Sequence, residues 1–162
     1  MSDYGGRRIK RSILIDISSV RFMEGKDIEK LKKLPSINKY LSEKINEIEK
    51  YNYSVDEEKE KRKLTNLGTL RAYLVNYLKN HQDLNTDTMT LIVRQLSPTS
   101  EGVPLEVYTF TNTVDWVEYE GIQSDIFDHI FAVLPKFGLR AFQGGTVEAA
   151  ASRGESINET EI

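Results

Sequence analysis

The sequence predicts an α+β domain in the order βαββαβ, a split βαβ sheet with an extra helical insertion. Three observations lead there. Ile13, Ile15 and Ile17 alternate with Ser12, Leu14 and Asp16 near the start of the chain, the period of a half-buried strand. Leu91 and Val93, then Leu105 and Val107, mark two more strands, and the turn residues Ser97-Pro98 and Glu101-Gly102 between them suggest an antiparallel hairpin. Finally, Tyr119, Ile122, Ile126, Ile130, Val133 and Phe137 recur at intervals of three or four, which puts them on one face of a long helix.

The elements follow in chain order. Residues 1–6 read as loop. Arg7, Arg8, Lys10 and Arg11 form a basic cluster that runs into the first strand. Such a cluster suits an anion, a lipid headgroup or a subunit contact, and equally a solvated strand start. Val20 and Phe22 are placed to extend the strand past a bulge at Ser18-Ser19. Asp27 is read as the cap of a helix beginning at Ile28. Pro35 restarts the chain as a second helix, on which Ile37, Leu41, Ile45 and Ile48 keep helical spacing to about Tyr51. The charges from Asp56 to Lys63 mix both signs and cancel at a distance, as in a solvated loop. A third helix starts near Thr65 and buries Leu70, Tyr73, Leu74, Tyr77 and Leu78. Residues 24–87 thus make a helical insertion or crossover.

In the long helix, Asp115 suits the N-cap and Glu118 the third position of a capping box. Trp116, Phe127, Phe131 and Leu134 widen its apolar face, and Pro135 and Gly138 end it. Residues 139–142 then return as a fourth strand. Residues 144–162 offer no apolar periodicity and are read as a flexible tail.

Composition narrows the function. The 162 residues carry a net charge of -3, which gives no drive towards nucleic acid. There is no cysteine, so disulfides and thiolate metal sites are excluded. No stretch approaches the roughly 20 apolar residues that span a bilayer, and the first residues lack the apolar core of a signal peptide, so the chain reads as soluble. No phosphate-binding glycine loop, nucleophile elbow or His-Glu-x-x-His is present. Neither an enzyme nor a cofactor is expected.

Individual residues admit chemical readings that a structural one outweighs. Asp125 and His129, one helical turn apart, could hold a metal, but a histidine beside a carboxylate is the commoner case. Asp115 and Glu118 could act as an acid–base pair, which the capping box already explains. Trp116 could stack on a ligand; an anchor in the core or at a subunit interface is preferred, with a cost of about 3–5 kcal/mol on truncation if buried.

Several stretches together resemble the cytosolic C-terminal part of bacterial mechanosensitive ion channels of the small-conductance family, in the miniconductance branch. They are residues 5–13 (Gly-Gly-Arg-Arg-Ile-Lys-Arg-Ser-Ile), 64–74 (Leu-Thr-Asn-Leu-Gly-Thr-Leu-Arg-Ala-Tyr-Leu), 89–98 and above all 110–129, with Asn-Thr-Val-Asp-Trp-Val-Glu-Tyr-Glu-Gly at 112–121. The resemblance implies a ferredoxin-like layout for residues 9–143 as an α/β vestibule domain, with residues 1–8 ending a preceding β domain. It implies a homo-oligomer, a heptamer in the type examples, in the bacterial inner membrane with this region on the cytoplasmic side. A transmembrane pore domain of the same full-length chain would open under hypo-osmotic tension. Ions and small solutes would reach it through side portals. The chain would then be an excised region that cannot conduct alone. Arg7, Arg8, Arg11, Arg94, Asp115, Trp116, Glu118 and Tyr119 are the candidate interface or structural residues. A stand-alone ferredoxin-like module binding a small ligand or a protein is the alternative.

Overall fold

The computed structural model describes residues 5–144. Its elements are β1 (Arg8–Ile15), α1 (Gly25–Lys32), α2 (Pro35–Asn52), α3 (Asn66–Lys79), β2 (Ile92–Gln95), β3 (Val103–Phe110) and α4 (Trp116–Val133). Single 3-10 turns follow β1, precede α3 and close α4. The expected tail beyond Gly144 lies outside the described residues.

The three strands form one antiparallel sheet in the order β1-β3-β2. The register pairs Ile9 with Thr109, Arg11 with Val107, Ile13 with Leu105 and Ile15 with Val103, so these side chains share one face. All except Arg11 are buried. Arg11 lays its guanidinium over the ring of Phe127, 4.3 Å from the centroid, which places α4 on that face. Leu70, Leu74 and Leu78 of α3 and Ile126, Phe127 and Ile130 of α4 join the same core. The opposite face carries Arg8, Lys10, Ile92, Arg94, Tyr108 and Phe110 and has no helix over it among the described residues.

Several expectations need correcting. Ile17 does not continue the buried face of β1: it lies in the 3-10 turn Ile17–Ser19 and is exposed. Nor do Val20 and Phe22 extend the strand. That segment is tied to α3 instead, because the buried Asn66 amide accepts the Arg21 N–H at 3.0 Å and donates to the Ser19 carbonyl at 2.9 Å. Helix α1 starts three residues before Ile28. Asp27 is the third residue of its first turn, where its carboxylate accepts the Glu24 N–H at 3.0 Å, so Glu24 takes the cap position and Asp27 the far end of a capping box.

The fourth strand is reduced to a bridge between Ile15 and Ala141. Two bonds flank it, from Phe142 N–H to the Leu14 carbonyl and from Asp16 N–H to the Arg140 carbonyl, both 2.8 Å. Pairing therefore covers only the last two or three residues of β1. The third helix begins as expected: the Thr65 hydroxyl caps α3 by accepting the Gly68 N–H at 3.1 Å.

Candidate functional site

The N-terminal end of β1 and the first turn of α4 meet at a groove of about 540 Å³, lined by Gly6, Arg7, Arg8, Tyr108, Phe110, Trp116 and Tyr119. Four of the sequence-predicted residues are here, brought together from positions more than a hundred residues apart. Gly6 makes the approach possible, because a Cβ there would run into the Thr111 carbonyl. Behind it, Thr111 N–H donates to the Arg7 carbonyl at 2.8 Å and Arg7 N–H donates to the Thr111 hydroxyl at 3.1 Å.

Both arginines lie over aromatic rings. Arg7 donates from Nε to the Val114 carbonyl at 2.7 Å and stands 5.9 Å from the Tyr119 centroid. Arg8 stands 5.9 Å from the Tyr108 centroid. Each contact is a cation–π pairing at the weak, solvated end of the range. Tyr119 fastens helix to strand by donating from its hydroxyl to the Arg8 carbonyl at 2.8 Å. Partial burial, and after it the Glu120 charge, push the Tyr119 phenol up, against a lesser pull down from Arg7 and Arg8. It remains a neutral donor at physiological pH.

Trp116 contradicts the buried-anchor expectation for the isolated chain. Its ring is 62% exposed, and its Nε1–H donates to Glu120 Oε1 at 3.2 Å one turn along the helix. Val114 and Val117 beside it are 49% and 74% exposed. The predicted apolar face of α4 turns the other way, so the first turn of the helix carries an apolar cluster into solvent. Phe131, counted with that face, is also exposed.

The predicted capping box forms only in part. Asp115 Oδ2 accepts the Glu118 N–H at 3.2 Å. Glu118, however, does not return to the Asp115 N–H. Its Oε2 accepts the Thr113 hydroxyl at 2.6 Å, and Thr113 Oγ1 accepts the Asp115 N–H at 3.1 Å. The threonine thus relays the second half of the motif.

Arg11 and Arg94 lie away from the groove. Arg94 Nε bonds Glu106 Oε1 at 3.0 Å on the open face, where the glutamate side chain is only 6% exposed. A buried carboxylate at the centre of a sheet depends on such a partner.

Of the Asp125–His129 pair, the histidine packs against α3. His129 Nε2 bonds the Tyr73 hydroxyl at 2.8 Å, and the imidazole stacks on Tyr77 at 4.1 Å between centroids. Burial first, and then Lys136, hold its pKa below the usual histidine value. Among the described residues no group of three or more His, Asp or Glu could hold a metal ion. Sequence reading missed Gly6, Tyr108 and Phe110 as groove residues. The only signal was the wide side of β3, where Tyr108 and Phe110 alternate with buried Val107 and Thr109.

No family model matches the chain.

Proposed function

We propose that this chain is the cytosolic vestibule domain of a mechanosensitive ion channel of the small-conductance family, with a structural and assembly role. One observation carries the reading. The block 112–121 is the most distinctive part of the resemblance, and it is also where the fold leaves Val114, Trp116 and Val117 in water. An apolar cluster of this kind, rimmed by Arg7 and Arg8, is a contact surface for another subunit. Trp and Arg are the side chains most often dominant in such contacts.

The topology supports a ferredoxin-like reading, with residues 139–142 as a shortened fourth strand beside β1. Among the described residues no helix is long and apolar enough to cross a membrane, so the pore belongs to other parts of the full-length channel. In that assembly, a homo-oligomeric ring in the bacterial inner membrane, this domain closes the vestibule through apolar contacts. Its surface charges act at the portals through which ions and small solutes pass.

The test is fractionation of the source cells with an antibody against this chain. The expected result is a band in the membrane fraction, well above the 18.6 kDa of this sequence. A soluble band at that mass alone overturns the channel reading and leaves the stand-alone regulatory module.

A further inference from the structure

We infer that the outward stripe of α4 is the seat for the open sheet face of a second copy of this chain, so that copies join head to tail. The inference rests on the reading of the α4 region as a subunit contact and names the surface that meets it there.

The helix comes first. Ile126, Phe127 and Ile130 turn into the core. Val117, Gly121, Ser124, Asp128 and Phe131 follow one another at steps of four and three, which sets them on one stripe of the helix. All five are exposed. Val117 is 74% exposed and Phe131 43%, so the stripe carries an apolar group into water at each end. Gly121 sits between them. Glycine inside a helix weakens it, and a Cβ at Gly121 would meet nothing within 4 Å. The single chain thus has no steric use for this glycine, whereas a body seated closely on the stripe does.

Charge identifies that body. Helix α4 contains Glu118, Glu120, Asp125 and Asp128 and neither lysine nor arginine. All four carboxylates are on exposed residues, and none forms an ion pair among the described residues. The open face of the sheet has the opposite character. Arg8, Lys10 and Arg94 stand on it around Tyr108, Phe110 and Ile92, and Glu106 on the same face is taken up by Arg94. Ile92 is 42% exposed, so this face also offers apolar surface. The two surfaces match in length: the 18 residues of α4 and the 8 of β1 both come to about 27 Å.

The fold sets the mode of contact. Arg11 over Phe127 places α4 on one side of the sheet, so its outward stripe and the open sheet face lie on opposite sides of the molecule. A twofold pairing of two α4 stripes would set carboxylates against carboxylates. A twofold pairing of two sheet faces would set Arg8, Lys10 and Arg94 against their own copies. A head-to-tail contact instead seats each acidic stripe on a basic face. Each copy then keeps one surface of each kind for a further neighbour, and repetition closes into a ring or runs on as a filament.

The chain has no cysteine, so a single thiol can mark each surface. Ser124→Cys marks the α4 stripe and Ile92→Cys the open sheet face. Tyr53→Cys, at a position 94% exposed beyond the end of α2, marks a surface outside both. These variants of the 162-residue chain are mixed in pairs with a bismaleimide cross-linker of about 10 Å, the spacing of packed layers, and the products are separated by mass. The mixed dimer of Ser124→Cys with Ile92→Cys is expected to form at least about tenfold faster than either homodimer and than the dimer of Ser124→Cys with Tyr53→Cys. Salt at about 1 M, which shortens the screening length to about 3 Å, is expected to remove most of that preference. Gly121→Lys, which puts bulk and a positive charge where the single chain has room, is expected to do the same while unfolding stays cooperative. Mixed dimers no faster than the Tyr53→Cys pairing overturn the inference. So does a preference that Gly121→Lys leaves intact. Faster homodimers of either single variant overturn it in favour of a twofold contact. Cell fractionation decides the channel reading separately. A membrane band without preferred mixed dimers keeps the channel and removes this contact; preferred mixed dimers with a soluble band keep the contact and remove the channel.

Discussion

Truncating Trp116 to alanine separates a surface reading of the first turn of α4 from a core reading. A tryptophan enclosed by the fold costs about 3–5 kcal/mol when cut back to alanine. Here the ring is 62% exposed, so only about a third of that contact is lost, a little over 1 kcal/mol. The bond from Nε1 to Glu120 spans one helical turn on the surface and adds about 0.3 kcal/mol. Alanine gives back about 0.5 kcal/mol through its higher helix propensity. The net expectation is a loss of about 1 kcal/mol, or about 2–4 °C in Tm for a domain of this size.

Urea unfolding followed by far-UV circular dichroism, at a dilution where the chain is monomeric, measures this directly. Phe127→Ala is the internal comparison: its ring is 1% exposed, and its removal is expected to cost about 3–5 kcal/mol. A loss of about 3 kcal/mol or more for Trp116→Ala would refute the surface reading. In the full-length protein, the same substitution is expected to reduce chemical cross-linking between subunits. Cross-linking unaffected by it removes Trp116 from the proposed contact.

Three further outcomes follow from single contacts. The Asp27 carboxyl is held down to about 2, first by the Arg21 guanidinium at 2.9 Å and then by the Glu24 N–H. A depressed carboxylate contributes stability above its unfolded pKa and loses it as pH falls through the folded value. The stability gap between the parent chain and Asp27→Asn should therefore be largest near neutral pH and close between about pH 4 and pH 2 in urea titrations. Thr109 is 0% exposed, and its hydroxyl has no partner among the described residues, so the near-isosteric Thr109→Val should raise the unfolding free energy by about 1 kcal/mol; an equal loss would mean that the hydroxyl is bonded. Asp115→Ala should cost about 1 kcal/mol through loss of the α4 cap, and Asp115→Asn should restore most of it in the same thermal melts.

The elements best read in advance were those whose signals are local. Pro35 at the first position of α2, the Thr65 cap of α3, and Pro135 with Gly138 at the end of α4 act within one or two turns of chain. The hairpin was legible for the same reason, since β2 and β3 are joined by a short turn with Gly102 at φ 117°. The errors lie where the outcome depends on a distant partner. Val20 and Phe22 carry strand-like side chains, yet the buried Asn66, more than forty residues on, takes the backbone between them. Glu118 has the spacing of a capping box, but a nearer hydroxyl, Thr113, competes for its carboxylate. The groove was half legible. Arg7, Arg8, Trp116 and Tyr119 stood out as residue types, whereas Tyr108 and Phe110 looked like any alternating strand positions.

By itself the sequence determined the class of the domain, the order of its helices and strands, and the absence of thiol chemistry. Hydrophobic period, caps and turn residues act over a few positions, and composition acts over none. Only the tertiary structure decided which face of each element is spent on the core. The buried stripe of α4 took in Ile126, Phe127 and Ile130 but not Trp116, which stays 62% exposed. The same packing stopped pairing along β1 at Phe142 and left the backbone of Lys10 and Ser12 facing outward. Which side chains of an element meet a partner depends on elements distant in the chain, and no local pattern of residues encodes that.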